Sequence, residues 1–234
     1  MIKPIRGSRI DTGHPLARGL VAAYLFNEGT GDLLWDYAGG HRGTLVGGPT
    51  WCVGEMGAEL GFDGGSDYVT LGQAGLPIGS RDAFTAVTWF RVESGKTGTL
   101  TACGKNSSAG RHHHSFAWIG GIVQGYVGGV AFAGTVVVDD GDWHCHALVS
   151  DGTAFASYID GVLDASGSTG AGAPSGIDML IGARRDGDNT DIATLFEGDI
   201  ASVLIYSRAL SAAEVRSLYE RPYQMFRWPR RRTR

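Results

Sequence analysis

The sequence predicts an all-β protein, a single antiparallel β-sandwich with one short C-terminal helix and extended terminal arms. Three observations carry that prediction. The chain has 234 residues and 38 glycines, a share that suits many tight turns and few long helices. Short runs rich in Val, Ile, Thr, Phe, Tyr and Trp recur along it without helical segments between them, which argues against a parallel sheet with crossover helices. At this length the chain buries a substantial core, so folding requires neither disulfides nor a metal.

Residues 1–18 contain Pro4, Pro15 and isolated charges but no sustained period, and read as an N-terminal arm. The sandwich spans 19–220. Within it Leu20–Phe26 is apolar throughout, as for a strand covered on both faces, and Asp67–Leu71 alternates around Tyr68, Val69 and Leu71. In the strand Phe84–Val92, Phe84, Ala86, Thr88, Phe90 and Val92 face one way, and Thr85, Val87, Trp89 and Arg91 the other. Further strands are expected at 100–103, 115–119, 122–127, 135–138, 143–150, 154–159, 179–183 and 200–206. Asp151-Gly152 and Asp160-Gly161 mark two hairpins, because Asp-Gly accommodates the positive φ angles of tight turns. Ser211 and Glu214 form a capping box, and Val215, Leu218 and Tyr219 give the apolar stripe of a helix ending before Pro222.

Charge is unevenly distributed. The net value is −4, yet the tail 221–234 holds six arginines and no acid, leaving 14 basic against 24 acidic residues elsewhere. A body near −10 thus carries a tail of +6. The tail is interleaved with Tyr223, Phe226 and Trp228, and contact with nucleic-acid phosphates is one reading of it. Docking of Arg227, Arg230, Arg231, Arg232 and Arg234 on the acidic surface of a neighbouring subunit is preferred, since the acidic body repels a polyanion.

Cys52, Cys103 and Cys145 are odd in number, lack CxxC spacing and sit in apolar runs, so they read as buried free thiols of a protein folded in a reducing cytoplasm. The first residues lack the apolar stretch of a signal peptide, and no segment approaches the ~20 apolar residues that span a bilayer, so no membrane partner is expected. His112, His113 and His114 are consecutive and cannot all face one metal from a strand, although His144 and His146 can share a face. Asp186, Asp188, Thr190 and Glu197 mimic a calcium loop, but Asp191 stands where that loop needs glycine. Trp118, Tyr126 and Trp143 are candidate stacking faces for a sugar; Trp143, opening a strand, is expected in the core.

The order of motifs resembles the laminin G-like, concanavalin A-like jelly-roll domains from about Gly19 to Tyr219. The matching pieces are GLVAAYLFNEGTGDLLWDYAGGHRGTLVGGPTW, ELGFDGGSDYVTLG, FTAVTWFRV, GDWHCHALVSDGTAFASYIDGV, LIGARR and FEGDIASVLIYSRALSAAEVRSLY. The resemblance implies the jelly roll and raises two chemical expectations. Hydrolases of this fold carry an ExDxxE run that aims two carboxylates at the scissile bond; no such run exists here, so no catalytic residue is assigned and an enzyme is not expected. Related domains often hold calcium near a sandwich edge, which makes Glu28, Asp36, Asp63 and Asp67 the candidate ligands by position. The acid commonly found in the last strand of relatives is replaced by Ala201, which speaks against that site.

The ends, HPLARGLV and ERPYQMFRWPRRRTR, are similar to those of laminin G-like proteins of tailed bacteriophages. That likeness implies a non-catalytic virion structural protein made in the host cytoplasm, either a capsid decoration (cement) protein or a tail- or fibre-associated one. Its partners would be capsid or tail proteins, further copies of itself and host surface glycans. The alternative is a carbohydrate-binding module or lectin of a cellular organism.

Overall fold

The computed structural model describes residues 3–72, 76, 83–103, 105–106, 114–117, 121–170, 179–186 and 191–228. Two eight-stranded sheets face one another. In the first, Val162–Ser168, Ala154–Ile159, Trp143–Ser150, Phe84–Arg91, Glu197–Tyr206, Gly57–Asp63 and Thr50–Gly54 lie side by side, and Leu20–Tyr24 also pairs with Glu197–Tyr206. The second runs from Val130–Val137 through Ile122–Val127, His114–Ala117, Gly98–Cys103, Met179–Ile181, Tyr68–Thr70 and Gly43–Val46 to Leu33–Leu34. All pairings in these two sheets are antiparallel; a small side sheet adds one parallel contact, Lys105–Asn106 on Arg184–Asp186.

The alternation in Phe84–Arg91 explains the layers. Phe84 and Phe90 enter the cluster between the sheets with Leu60, Leu148, Val203 and Phe196. Val87 and Trp89 point the opposite way, into a second cluster on the outer side of the first sheet. That outer face is covered by the chain's own ends. Leu16, Leu210, Val215, Leu218, Tyr223, Met225 and Phe226 all pack there, so the terminal segments and the helix Ala212–Glu220 make a third layer. The capping box is present, with the Ser211 hydroxyl accepting from the Glu214 amide and the Glu214 carboxylate from the Ser211 amide.

The described parts of both arms, 3–18 and 221–228, therefore lie on the sandwich. Lys3 is buried, and its ammonium donates to the carbonyls of Ala58 and Ala201. Burial lowers its pKa to about 7, an effect opposed by the nearby Glu59 and Glu28 carboxylates. Arg9–Ile10 then pairs antiparallel with Phe226–Arg227, with Arg9 opposite Arg227. Pro15–Ala17 forms a single 3-10 turn.

The two hairpins occur where expected, by different geometry. Asp160 and Gly161 both have positive φ, 52° and 77°. At the other turn only Gly152 does, at 90°, and the Asp151 carboxylate instead accepts from the amides of Thr153 and Ala154. Cys103 and Cys145 are buried, but Cys52 is only half-buried. Among the described residues no helix is long and apolar enough to cross a membrane.

Candidate functional site

Among the described residues, a concave feature forms where the N-terminal arm passes the segment after Leu33–Leu34. Arg6, Gly7 and Ser8 make one wall of a cleft of about 300 Å³, and Trp35, Asp36 and Tyr37 make its floor. Asp36 holds the floor in place. Its side chain is fully buried and accepts four backbone N–H bonds: Oδ1 from Ala23 and Ala38 at 2.8 Å each, Oδ2 from Gly39 at 2.9 Å and His41 at 3.0 Å. The turn needs glycine at position 39, where a Cβ would stand 2.3 Å from the Val21 carbonyl oxygen. A second chain of bonds holds the wall: the Tyr37 hydroxyl donates to Asn27 Oδ1 at 3.0 Å, and Asn27 Nδ2 donates to the Pro4 carbonyl at 2.7 Å.

Trp35 is 40 % exposed, large for a tryptophan that terminates an apolar pair. The Arg42 guanidinium lies 4.2 Å from its ring centroid and that of Arg6 5.8 Å. Its backbone amide donates to Glu28 Oε1 at 2.9 Å, while Glu28 Oε2 is buried without a hydrogen-bond partner. Burial pushes the Glu28 carboxyl above its usual range, partly offset by the Trp35 amide and by Arg6. The Ser8 hydroxyl is also buried and unpartnered.

The four candidate calcium ligands do not lie in one place. Asp36 lines the Trp35 cleft, whereas Asp63 and Asp67 line a separate depression of about 240 Å³ with Asp199. There Asp63 Oδ1 accepts from the amides of Gly65 and Ser66, bonds that hold its carboxyl low, and Asp67 Oδ2 accepts from the Asp63 amide. Burial raises Asp67. Asp199 is bonded to Arg91 at 2.7 Å. These oxygens serve turns and an ion pair, and among the described residues no group of three or more His, Cys, Asp or Glu has metal-holding geometry. Ala201, where relatives were expected to carry an acid, is buried beneath the terminal layer.

Tyr126 is half-buried on the outer side of the second sheet, since its neighbours Val123 and Val127 point into the core. Trp118 lies outside the described residues, so the proposed pair is not assembled here. Trp143 is half-buried at the margin of the outer cluster, with the Arg91 guanidinium 5.2 Å from its ring. His144 and His146 share a face but serve structure: His144 Nδ1 and Nε2 lie 2.8 Å from Asp160 and 3.1 Å from Asp140, and His146 Nε2 lies 3.1 Å from the buried Ser157 hydroxyl. Of the tail arginines, Arg227 pairs within the chain, its guanidinium 2.6 Å from Asp11. Arg230, Arg231, Arg232 and Arg234 lie outside the described residues, as do His112 and His113.

Sequence reading missed Arg6, Ser8, Trp35 and Tyr37. The signals that existed were an aromatic pair flanking Asp36 and the Pro4–Gly7 punctuation of the arm, but the two halves stand nearly thirty residues apart and nothing local joins them.

The family model described as the concanavalin A-like lectin/glucanases superfamily matches residues 63–216. Among curated proteins no sequence matches. Solved structures share the fold at low identity. The binding domain of Paraclostridial Mosquitocidal Protein 1 superposes with a TM-score of 0.70 at 13 % identity, over 89 % of this chain and 53 % of that one. The Trypanosoma rangeli sialidase in complex with sialic acid gives 0.65 at 17 %, over 88 % and 33 %. The receptor binding domain of a botulinum neurotoxin C/D mosaic serotype gives 0.61 at 12 %, over 86 % and 51 %. This chain thus spans about half of each toxin domain and a third of the sialidase.

Proposed function

We propose that this chain, which belongs to the concanavalin A-like lectin/glucanases superfamily, is a non-catalytic saccharide-binding protein carried on the surface of a bacteriophage virion. The observation that carries the binding half is the Trp35 cleft: an exposed indole and a phenol ring beside unsatisfied polar groups, the combination that stacks on a sugar ring and orients its hydroxyls. The same cleft argues against cleavage. Most glycoside hydrolases use two carboxylates, and Asp36, the one carboxylate in the lining, has both oxygens committed to four amides. The toxin domains of like fold are named for binding, which fits this reading and does not carry it.

The virion half is supported by the chain ends and the charge split between an acidic body and an arginine-rich tail. Capsid decoration and tail or fibre association both fit, with virion proteins and further copies of the chain as partners.

A glycan array with wild type and Trp35→Ala tests the binding half. Binding lost in Trp35→Ala and kept in Tyr126→Ala supports the cleft; the opposite pattern moves the site to the second sheet, and no binder at all ends the saccharide reading. For the virion half, removal of 229–234 leaves the packed residues Tyr223–Phe226 in place. If particles incorporate that shortened chain as well as the full one, the arginine tail is not the docking element.

A further inference from the structure

We infer that the Trp35 cleft selects an anionic sugar, one bearing a carboxylate or a sulfate ester; this rests on the saccharide reading above. The argument is a count of unmet donors and acceptors around the cleft. Within the lining the acceptor side is used up: both oxygens of Asp36, the one carboxylate there, already receive backbone N–H groups, and Glu28, whose Oε2 is unpartnered, is not among the lining residues. The donor side is not. The Arg6 guanidinium is exposed and, among the described residues, makes a ring contact with Trp35 but no hydrogen bond or ion pair. Ser8 is in the wall at 6 % exposure, and its buried hydroxyl has no partner. A buried hydroxyl left unpaired is costly and is expected to gain a partner in the working state.

A ligand that completes this site therefore brings acceptors. Guanidinium and hydroxyl donors together suit a carboxylate or sulfate, since bonds from a cationic donor to an anion are stronger than neutral ones. Arg42, stacked on the indole, adds a second exposed cation beside the cleft. Arg6 and Arg42 are exposed whereas the Asp36 side chain is buried, so an incoming anion meets the guanidinium groups first. The rings of Trp35 and Tyr37 leave room for the apolar face of the sugar that carries it.

The test uses matched sugars and the full chain. Calorimetric titrations compare glucose, glucuronate and glucose 6-sulfate, and galactose against galacturonate, at constant ionic strength, with inorganic sulfate as a control. The expected result is about tenfold tighter binding of the charged member of at least one pair, reduced to parity in Arg6→Gln and weakened in Ser8→Ala. Preference for glucuronate over glucose 6-sulfate, or the reverse, identifies the group. Equal binding of charged and neutral sugars, still lost in Trp35→Ala, overturns the anionic preference and leaves the saccharide reading standing. Sulfate binding as tightly as any sugar, or no sugar binding at all, overturns both. Circular dichroism of Arg6→Gln and Trp35→Ala confirms that lost binding is not lost folding.

Discussion

The two outer faces of the sandwich are treated differently by the sequence. Outward from the first sheet point Val87, Trp89, Cys145, Ala147, Val149, Leu204 and Tyr206, a continuous apolar surface. The chain's own ends lie over it and bury it. Outward from the second sheet point Thr44, Tyr68, Thr70, Gln124 and Tyr126, mostly polar or amphipathic, with Leu33 41 % exposed at its far edge. Apolar residues crowd the outward face that the chain's ends cover, whereas the other outward face is mixed, with Thr44, Tyr68, Gln124 and Tyr126 at least partly exposed and Leu180 buried. The cleft sits where the covering arm passes the second sheet's last strand, so it belongs to neither face alone.

That contrast can be broken at several points. Asp36 ties the sheets together, because it follows Leu33–Leu34 of the second and binds the Ala23 amide in a strand of the first. Asp36→Ala leaves four backbone amides without their acceptor and is expected to lower the unfolding free energy by about 3 kcal/mol, measured by urea titration. Leu218→Ala on the helix cuts into the cover itself. The side chain is fully buried, and a loss of about 3 kcal/mol is expected; a loss near zero would mean the third layer is ornamental.

His146 probes the interior. Its folded-state pKa is lowered to about 4 by burial, while the unfolded value is near 6.5. The unfolded chain therefore binds the extra proton, and stability falls as pH drops from 6.5 to 4, by about 3 kcal/mol. His146→Gln should flatten that limb of a pH–stability curve. His144 works in the opposite sense. Asp160 first, then Asp140, raise its pKa, so its contribution is complete below pH 6.5 and is lost as pH climbs through the raised value.

Smaller effects are expected at the open side. The Asp164 carboxylate, on the edge strand of the first sheet, accepts from the amides of Thr135 and Val136 on the edge strand of the second. It thereby occupies N–H groups that would otherwise invite another strand. Asp164→Ala should cost about 1–2 kcal/mol and produce concentration-dependent association visible by light scattering. Leu33→Ala, on the uncovered face, should change stability by less than about 0.5 kcal/mol. A Leu33 effect as large as that of Leu218 would erase the distinction between the faces.

What the sequence made legible follows from locality. The strands Ile122–Val127, Trp143–Ser150 and Ala154–Ile159 occur with the bounds that their alternation predicts, and the capping box and hairpins rest on residues two or three apart. The strands Gly43–Val46, Thr50–Gly54 and Gly57–Asp63 are not evident from the sequence, because glycine at their ends and Glu59 within the last disguise the period. Glu59 is nonetheless buried, 3.5 Å from the Arg91 guanidinium. The docked arm was equally hidden: Lys3 reads as a solvent-facing charge until its partners at Ala58 and Ala201 are seen. Carboxylates grouped by position as metal ligands turned out to have been claimed by nearby amides, a use that charge alone does not reveal.

The two-residue ladder between Arg9–Ile10 and Phe226–Arg227 has a mechanical corollary. Since Arg9 stands opposite Arg227, both strands run off toward their outer ends at the same margin. Tension applied to both would peel the pairs one after another, the weak geometry for a β-ladder, instead of loading them together. A pull on both ends would thus lift the strap that walls the cleft before it strains the sheets beneath.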